Sequence, residues 1–428
     1  MVIEISCPTP DQDSGSLSTF NLMRLLGDLG FRVSFLPTAS SDRLPGYTDA
    51  LEATGVTWLG VPHFTSPDLA LAGLADDYDL VVLCRHAAAE RGLAIVRRHC
   101  PSARVVFRPV DLHFLREGRQ AAIENSPAIA ATAAASKSKE LALVAMADAT
   151  IVVSSYEADV LARERPGAVV RTVPMTRDIP GRRQGTRGRR DILFLGSFAH
   201  LPNVDAIVWF AGEVFPLVRE RLGDVSLHIV GKDPPPEVAA LGISADRPGR
   251  HPIVIHGHRP DIDDLLDGCK LSVAPLRWGA GIKGKVATSL AAGLPCVATS
   301  VAVEGAGLLA GREISVADAP GEFAAAIVQI YGDDALWLRR SDAGIAAASR
   351  QFSFAANRKR MAELLRDIGI STPASRSQPK GLGCAGIEWV SRFYKKYWSN
   401  LRRRASGCGF QFLVLAMLAL YRAAALHG

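Results

Sequence analysis

A short stretch of the chain, residues 275–285, combines three glycines with three cations and reads PLRWGAGIKGK. It lies between a predicted strand and a predicted helix, 286–292. Glycine lets backbone N–H groups approach an anion closely, and a helix N-terminus and nearby cations add positive charge. The residues concerned are Gly279, Gly281, Gly284, Arg277, Lys283 and Lys285. The pattern predicts a diphosphate-binding loop; a glycine-rich turn with solvated cations is the alternative.

The same glycines match the dinucleotide-binding pattern G-x-G-x-x-G, and Glu304 follows Gly284 by twenty residues. This pattern is typical of nicotinamide-dependent oxidoreductases, which are therefore a second hypothesis. It usually follows the first strand of its domain, whereas several strand–helix units precede it here. The diphosphate loop is favoured for that reason.

Two further groups of polar residues follow predicted strands. Residues 111–117 (DLHFLRE) contain His113, which could donate a hydrogen bond or a proton to a sugar hydroxyl. Residues 11–16 (DQDSGS) contain Gly15 and Ser16, which could let a phosphate or a sugar approach a helix start. The D-x-D match in this loop is too frequent by chance to predict a metal site. No nucleophile–base motif and no P-loop occur, and neither a metal nor a cofactor is predicted from these loops.

The elements that must position these residues alternate between strand and helix. In the first part of the chain, strands are predicted at 2–7, 32–37, 80–84, 104–107 and 150–154, with a helix over 16–29. In the second part, strands are predicted at 191–195, 225–230, 253–256, 271–275 and 295–299. This alternation indicates βαβ units and parallel sheets, whose carboxyl-terminal strand ends form the binding edge.

Two segments interrupt this alternation and divide the chain. Residues 177–190 hold six arginines and three glycines without periodicity, which predicts a solvated linker. Residues 370–383 are rich in Ser, Pro and Gly, which predicts a second linker. The predicted domains are therefore residues 1–176 and 191–352, with a tail over 370–428.

The composition excludes several classes of protein. The chain has 428 residues, of which 48% are hydrophobic and 21% charged, so we expect two or three globular domains and neither wholesale disorder nor several membrane spans. Its seven cysteines are scattered without a C-x-x-C pair, which argues against a disulfide framework or a structural zinc site. No secretory signal is visible, so a cytoplasmic location is predicted.

The net positive charge of the chain comes from the tail. The net charge is +6, and residues 371–428 alone contribute +8, so the body is not basic and no nucleic-acid partner is predicted. Residues 387–401 have the spacing of a basic amphipathic helix, and residues 410–421 are apolar but too short to span a bilayer. They predict peripheral membrane contact through 387–421; a helix packed on the body and a disordered extension are the alternatives.

Several stretches resemble the bacterial retaining glycosyltransferases of family four, which have the GT-B fold. The strongest is APLRWGAGIKGKVATSLAAGLPCVATSVAVEG at 274–305. Others lie at 194–216, 227–234 and 256–266, with weaker ones at 110–117, at 147–161 and around Gly15. The resemblance covers roughly residues 1–367 and indicates the branch that acts in surface-polysaccharide synthesis.

This resemblance implies two doubly wound, Rossmann-like α/β domains facing across a cleft, with a helix at 353–369 returning toward the N-terminal domain. The C-terminal domain would bind a nucleotide-diphosphate sugar, and the N-terminal domain a glycan or lipid-linked acceptor. Transfer would retain the anomeric configuration without a metal, in envelope polysaccharide assembly at the inner face of the cytoplasmic membrane.

The resemblance also implies roles for individual residues. Arg277 and Lys283 would stabilise the leaving diphosphate, and His113 would lie near the transferred sugar. Donor-binding residues would be Gly15, Ser16, Gly196, Ser197, Lys232, Gly279, Gly281, Lys285, Thr288 and Glu304.

One departure from the family pattern concerns two carboxylates. Family members commonly carry Glu-x7-Glu, and the second Glu contacts the nucleotide ribose; the matching positions here are Ala280 and Thr288. Thr288 offers one hydroxyl in place of two carboxylate oxygens, and Glu304 is a candidate replacement. The departure makes a transferase of reduced activity, or a non-catalytic GT-B module, an alternative hypothesis.

Overall fold

The computed structural model describes residues 1–74, 78–244 and 251–372. The predicted membrane-contact segment, 387–421, and most of the predicted tail lie outside the described residues. The described chain forms two α/β units, each built on a seven-stranded sheet. The prediction of two doubly wound α/β units is confirmed.

The N-terminal unit contains the first sheet. Its strands are β1 (Val2–Glu4), β2 (Ser34–Pro37), β3 (Thr57–Trp58), β4 (Leu80–Cys84), β5 (Arg104–Arg108), β6 (Ala149–Val152) and β7 (Val170–Thr172). Their order is β3-β2-β1-β4-β5-β6-β7, and all neighbours are parallel. Its helices are α1 (Ser14–Asp28), α2 (Tyr47–Ala53), α3 (Pro67–Leu74), α4 (His86–His99), α5 (His113–Glu124), α6 (Pro127–Met146) and α7 (Ser155–Glu164). The order reverses between β1 and β4, which makes that edge the expected ligand site.

The C-terminal unit repeats this plan. Its strands are β8 (Ile192–Leu195), β9 (Leu227–Val230), β10 (Ile243–Ser244), β11 (Ile253–Gly257), β12 (Leu271–Ala274), β13 (Cys296–Ala298) and β14 (Ser315–Val316). Their order is β10-β11-β9-β8-β12-β13-β14, again parallel throughout. Its helices are α8 (Leu201–Trp209), α9 (Phe215–Leu222), α10 (Pro236–Ala239), α11 (Asp263–Gly268), α12 (Gly284–Ala291), α13 (Ser300–Val303), α14 (Pro320–Gly332) and α15 (Asp334–Phe352). A last helix, α16 (Phe354–Asp367), follows α15.

The central strands are apolar throughout because helices cover both faces of each sheet. Every residue of β4 (LVVLC) and of β12 (LSVA) is buried. Sequence analysis missed β3, β7, β10 and β14, which are the four edge strands and have only two or three residues each. Strands this short show no periodic pattern.

The two helices nearest the predicted ligand loops begin slightly earlier than predicted. Helix α1 begins at Ser14 because the Asp13 carboxylate accepts a hydrogen bond from the Ser16 N–H at 2.9 Å and so caps the helix. Helix α12 begins at Gly284, so the last glycine of the glycine-rich loop is already helical.

Two arginines of the segment 177–190 are buried, although most of this predicted linker is exposed. Arg177 and Arg189 are buried, with 5% and 7% of their surface exposed. The Arg189 guanidinium donates to the carbonyls of Leu266 and Cys269, at 2.6 and 3.0 Å. Arg183 pairs with Asp263 at 2.5 Å. Composition predicts the absence of regular structure here, but it carries no information on which carbonyls and carboxylates the arginines reach.

The chain crosses between the two units twice, and the two crossings are paired. The Arg177 N–H donates to the Phe352 carbonyl at 2.7 Å, beside a parallel bridge to Ser353. After the second crossing, α16 packs on the N-terminal unit. Its residues Met361, Leu364 and Leu365, and Ile368 directly after it, share one apolar cluster with residues of α1 and β2.

One helical run in the described part of the chain, Leu201–Leu222, is long and apolar enough by composition to cross a membrane. It comprises α8, a π-helical turn (Phe210–Val214) and α9. Its residues Ile207, Phe210 and Val214 belong to the apolar core of the C-terminal unit. A core helix passes the same test of length and composition, so the run is weak evidence for a membrane span.

Asn357→Ala tests the attachment of α16. Asn357 is fully buried, and its amide donates to the Pro174 carbonyl and the Thr176 hydroxyl, both at 3.1 Å. The substitution leaves both acceptors without this donor, so we expect a loss of about 2–4 kcal/mol in the free energy of unfolding, measured by urea denaturation. The control is Arg358→Ala on the exposed side of the same helix, with a loss of less than about 0.5 kcal/mol. Equal losses in the two variants would contradict this account.

Candidate functional site

The carboxyl-terminal strand ends of the two units face each other. Lys232, after β9, donates to Gln12, after β1, at 3.2 Å. Arg119 of α5 donates to the Gly279 carbonyl of the glycine-rich loop at 2.7 Å. A cavity of ≈ 460 Å³ lies between the units. Its lining residues include Asp13, Arg85, Ser197, His200 and Lys232.

The glycine-rich loop needs its glycines for two reasons. Gly279 and Gly281 have φ values of 143° and 64°, which residues with side chains rarely adopt. At Gly281 an added Cβ would lie 3.2 Å from Asp111 of the N-terminal unit, and at Gly284 it would overlap the Ser14 hydroxyl. The loop therefore contacts the N-terminal unit directly through its backbone.

The structure brings two of the three predicted loop cations close together. Lys283 Nζ donates to the carbonyls of Ala280 and Gly281, at 2.6 and 2.7 Å. Burial lowers its pKa to about 8, although the carboxylates of Glu157 and Asp111 oppose this shift. Lys285 donates to Asn203 Oδ1 at 2.5 Å, and burial together with the charge of Lys283 lowers its pKa to about 7.

Arg277, the third loop cation, has a carboxylate partner of its own. Its guanidinium forms an ion pair with Asp205 of α8, and 42% of its side-chain surface is exposed. The Asp205 hydrogen bond raises the pKa of Arg277 further above its ordinary value, so it stays charged. To contact the same anion as Lys283, Arg277 would have to break its ion pair with Asp205 and bind the anion instead.

His113 is held by a buried carboxylate at the first turn of α5. Leu112 precedes the helix and has no polar side chain to cap it. Glu140 of α6 accepts the N–H groups of His113 and Phe114 instead, at 3.0 and 3.1 Å, and Glu157 of α7 accepts that of Leu112. Two carboxylates from other helices therefore satisfy the orphan donors of this helix.

The same carboxylate orients the His113 ring. Nδ1 lies 3.3 Å from Glu140 Oε1, and an ionised carboxylate only accepts, so Nδ1 carries the proton. Nε2 makes no hydrogen bond to a residue that the structure describes and is available to a ligand. Burial alone would lower the pKa of His113, but the Glu140 hydrogen bond and the Asp111 carboxylate outweigh it and hold the pKa above its ordinary value.

Within the described part of the chain, one group of side chains could hold a metal ion. Ligand atoms of His86, His113 and Glu140 lie within 4.8 Å of one another. The Glu140 oxygens already accept two backbone N–H groups, so this carboxylate has a structural role without a metal. The D-x-D residues Asp11 and Asp13 have separate partners, since Asp11 pairs with His258 and Asp13 accepts from Ser16. The expectation of no metal stays a prediction.

In the loop after β1, Gly15 has a structural role, whereas the sequence predicted that it lets a ligand approach. An added Cβ would lie 2.6 Å from Arg85 Nη2, so the glycine makes room for this arginine. Arg85 follows β4 with a φ of 65°, and its guanidinium contacts Glu4 and Asp13 at 3.3 and 3.6 Å. Ser16 donates to Asp13 at 2.6 Å and belongs to the cap of α1.

The remaining predicted donor residues fall into two places. Ser197 and Lys232 line the interdomain cavity. Gly196 directly follows β8, where a Cβ would lie 3.0 Å from the Asn203 side chain. Glu304, the candidate replacement for the missing carboxylates, is paired with Arg119 at 2.8 Å, while Thr288 is half-buried on α12.

Sequence analysis missed six titratable residues that lie around His113, Lys283 and the interdomain cavity. They are Arg85, Asp111, Arg119, Glu140, Glu157 and His200. Two quoted stretches contained a signal, since 110–117 includes Asp111 and 147–161 includes Glu157, but neither residue was given a role. Glu140 occurs on a helix whose sequence has no motif, so only its burial in the fold identifies it.

Glu140→Gln tests how His113 is held. The amide keeps the size and one acceptor oxygen but loses the charge, so we expect the pKa of His113 to fall, as read by NMR titration of its ring proton. Folding raises the pKa of His113, so the His113–Glu140 pair contributes fully to stability at a pH below the pKa of the unfolded histidine. This contribution is lost as the pH rises through the pKa of His113 in the folded protein. His113→Gln assigns the resonance. Glu164→Gln, which removes an exposed partner of Lys137, is the control. An unchanged His113 pKa in Glu140→Gln would refute the assignment.

Comparisons with known proteins agree with this architecture. Residues 189–333 match the family model described as "Glycosyl transferases group 1". An uncharacterised 44.6 kDa protein from the cps region of Klebsiella pneumoniae is 25% identical over 140 residues, which are 32% of this chain and 36% of the relative. This alignment therefore spans about a third of the curated relative.

Solved structures share the fold at low sequence identity. Sucrose-phosphate synthase from Thermosynechococcus elongatus aligns with a TM-score of 0.64 and 15% identity, over 86% of this chain and 98% of that one. Anabaena HepE, in complex with UDP and glucose, aligns with a TM-score of 0.58 and 15% identity, over 85% and 98%. S. aureus TarM aligns over 69% of this chain but only 57% of its own length, with a TM-score of 0.56 and 13% identity. Residues 189–333 thus resemble a group 1 glycosyltransferase domain, and the two facing parallel sheets have the GT-B fold.

Proposed function

We propose that this chain transfers a sugar from a nucleotide-diphosphate sugar to an acceptor hydroxyl. The observation that carries the proposal is the pair Lys283 and Lys285 at the start of α12, on a glycine-rich loop in contact with the opposite unit. The group 1 match over residues 189–333 supports it. So do the HepE structures, which are described as complexes with UDP and with UDP-glucose.

In this reaction the acceptor oxygen forms a bond to the anomeric carbon while the bond from that carbon to the diphosphate oxygen breaks. The acceptor proton passes to the leaving diphosphate. The negative charge that develops there is stabilised by Lys283 and Lys285 and by the N-terminus of α12, with Arg277 as the third cation. Lys283 would exchange its two carbonyl acceptors for phosphate oxygens, and His113 would present Nε2 to the transferred sugar.

We propose retention of the anomeric configuration and no required metal. The resemblance to family four supports both, and the cations near α12 supply the positive charge that a metal would otherwise provide. Retention predicts a product with the anomeric configuration of the donor, which proton NMR coupling constants report directly. A product with the opposite configuration would require an inverting reaction.

The acceptor would bind to the N-terminal unit. A cavity of ≈ 370 Å³ beside β1 is lined by carboxylates, hydroxyls and two arginines, which suit the hydroxyl groups of a glycan. A glycan or lipid-linked acceptor in envelope polysaccharide synthesis is the proposed class. The Klebsiella pneumoniae relative from a cps region supports this role. The proposed location is cytoplasmic, on the inner face of the membrane, with contact through 387–421.

The alternative of a non-catalytic module rests on Ala280 and Thr288. The proposed compensation by Glu304 receives no support from the geometry, because Arg119 already occupies that carboxylate at 2.8 Å. The Arg119–Glu304 pair instead joins α5 to the segment after α13. The matched glycosyltransferase model and the cation pair favour the transferase, and nucleotide binding separates the two hypotheses.

Lys283→Ala tests the proposed donor site by thermal denaturation with UDP, GDP, TDP and NAD. We expect one nucleoside diphosphate to stabilise the natural protein by about 2.7 kcal/mol at 100 times its dissociation constant, and Lys283→Ala to lose this stabilisation. Lys137→Ala, at an exposed lysine of α6, is the control and should keep it. Stabilisation by NAD alone would favour the oxidoreductase, and no stabilisation by any of the four would favour the non-catalytic module.

The lowered pKa values of the two lysines predict how binding depends on pH. A bound diphosphate favours the charged lysines, so binding takes up protons where the free lysines are partly neutral, at about pH 7 to 8. Affinity should therefore fall as the pH rises from about 7 to 9. Calorimetry in two buffers of different ionisation enthalpy measures the proton uptake. Equal affinity and no uptake across this range would rule out titrating lysines at the diphosphate.

A further inference from the structure

Arg177 is a buried cation whose hydrogen-bonding capacity is mostly unused. Only 5% of its surface is exposed, and its Nε and Nη1 atoms are buried without a hydrogen-bond partner. Nη2 reaches the Ser14 hydroxyl at 3.3 Å and the Met175 sulfur at 3.7 Å. No carboxylate of the described residues lies within ion-pair distance of it. Native proteins rarely bury a charged donor in this way, so the group requires an explanation.

The guanidinium lies where the two units touch. Ser14 is the first residue of α1 and Gly284 the first residue of α12. A Cβ on Gly284 would overlap the Ser14 hydroxyl and lie 3.0 Å from Arg177 Nη2. The N-termini of two helices, one from each unit, therefore meet beside a guanidinium, and all three carry positive charge or partial positive charge.

The described residues provide little compensation for this charge. The Asp13 carboxylate, whose charge acts on Arg177, caps α1 and accepts from Ser16. Burial lowers the pKa of Arg177 to about 10, and Asp13 and Asp178 offset only part of this effect. A bound anion would supply the missing acceptors and the opposite charge together.

We infer that Arg177 is a phosphate-binding residue, which contacts the donor diphosphate from the interdomain crossing when the contact between α1 and α12 opens. The inference rests on the proposed function for the identity of the anion. Lys283 and Lys285 are the neighbours of Gly284 in the chain, and Ser14 and Arg177 lie against Gly284 in space. One diphosphate held by both groups would link the two units.

Opening is required because the contact leaves no room for a phosphate between Ser14 and Gly284. The paired crossing allows this motion, since Arg177 itself is bonded to Phe352 of the second crossing at 2.7 Å. The arginine would therefore remain at the hinge while the helix N-termini separate. Anion binding would then offset the cost of the buried charge.

Arg177→Met, which keeps the length of the side chain and removes the charge, tests this inference with inorganic pyrophosphate as the probe. We expect the dissociation constant for pyrophosphate, measured by calorimetry, to rise about tenfold or more. Without any anion, the melting temperature should rise by roughly 2–4 °C, because an unpaired buried charge has been removed. A purely structural arginine would instead lower the melting temperature when replaced.

Arg183→Met is the matched control, because this exposed arginine of the same segment is paired with Asp263. It should leave pyrophosphate binding unchanged. Arg177→Lys keeps the charge but not the planar set of donors, so its affinity for pyrophosphate should lie between those of the natural protein and Arg177→Met. This variant replaces Arg177→Met in the test if Arg177→Met does not fold. Unchanged pyrophosphate affinity in the Arg177 variants, or no pyrophosphate binding by the natural protein, overturns the inference.

The same titrations separate this inference from the proposed function. If pyrophosphate binding depends on Arg177 but UDP, GDP and TDP bind no more tightly than pyrophosphate, the anion site at Arg177 is supported and the proposal of a nucleotide-sugar donor is refuted. If a nucleoside diphosphate binds tightly and its affinity is unaffected by Arg177→Met, the donor site stands and the role of Arg177 is refuted.

Discussion

The backbone of the glycine-rich loop lies against the N-terminal unit without any intervening side chain, and the geometry of the cleft depends on this close approach. Gly281 and Gly284 each occupy a position where a Cβ would press on the opposite unit. Since Gly284 also opens α12 and its neighbour Ser14 opens α1, the approach fixes two helix N-termini side by side. The loop that carries the cations and the loop after β1 therefore form one surface.

This contact makes the charge of the loop depend on both units. Lys283 belongs to the C-terminal unit, but the two carboxylates that most oppose its loss of charge, Glu157 and Asp111, belong to the N-terminal unit. Glu157 also accepts the Leu112 N–H, so the same carboxylate supports the start of α5 and the charge of the lysine. Separation of the units would alter the protonation of Lys283 as well as its position.

The fold followed from the sequence more completely than the site did. Buried central strands such as LVVLC are apolar on both faces and are recognisable without their neighbours. The glycine-rich loop was recognisable because its residue types and order are local. Arg277 shows the limit of such reasoning, since nothing local indicates that its partner is Asp205, 72 positions earlier. Glu140 and Arg177 are identified only by burial, which is a property of the assembled fold rather than of a segment.

The return of α16 makes the N-terminal unit discontinuous in sequence, which has a consequence for synthesis on the ribosome. Leu364 and Leu365 are fully buried in the cluster that also contains residues of α1 and β2. These side chains emerge only after the whole C-terminal unit has been translated. The nascent N-terminal unit must therefore wait with part of its apolar core uncovered, whereas the C-terminal sheet can complete itself first. A division of the gene between the two units would leave the first product without the helix that closes its core.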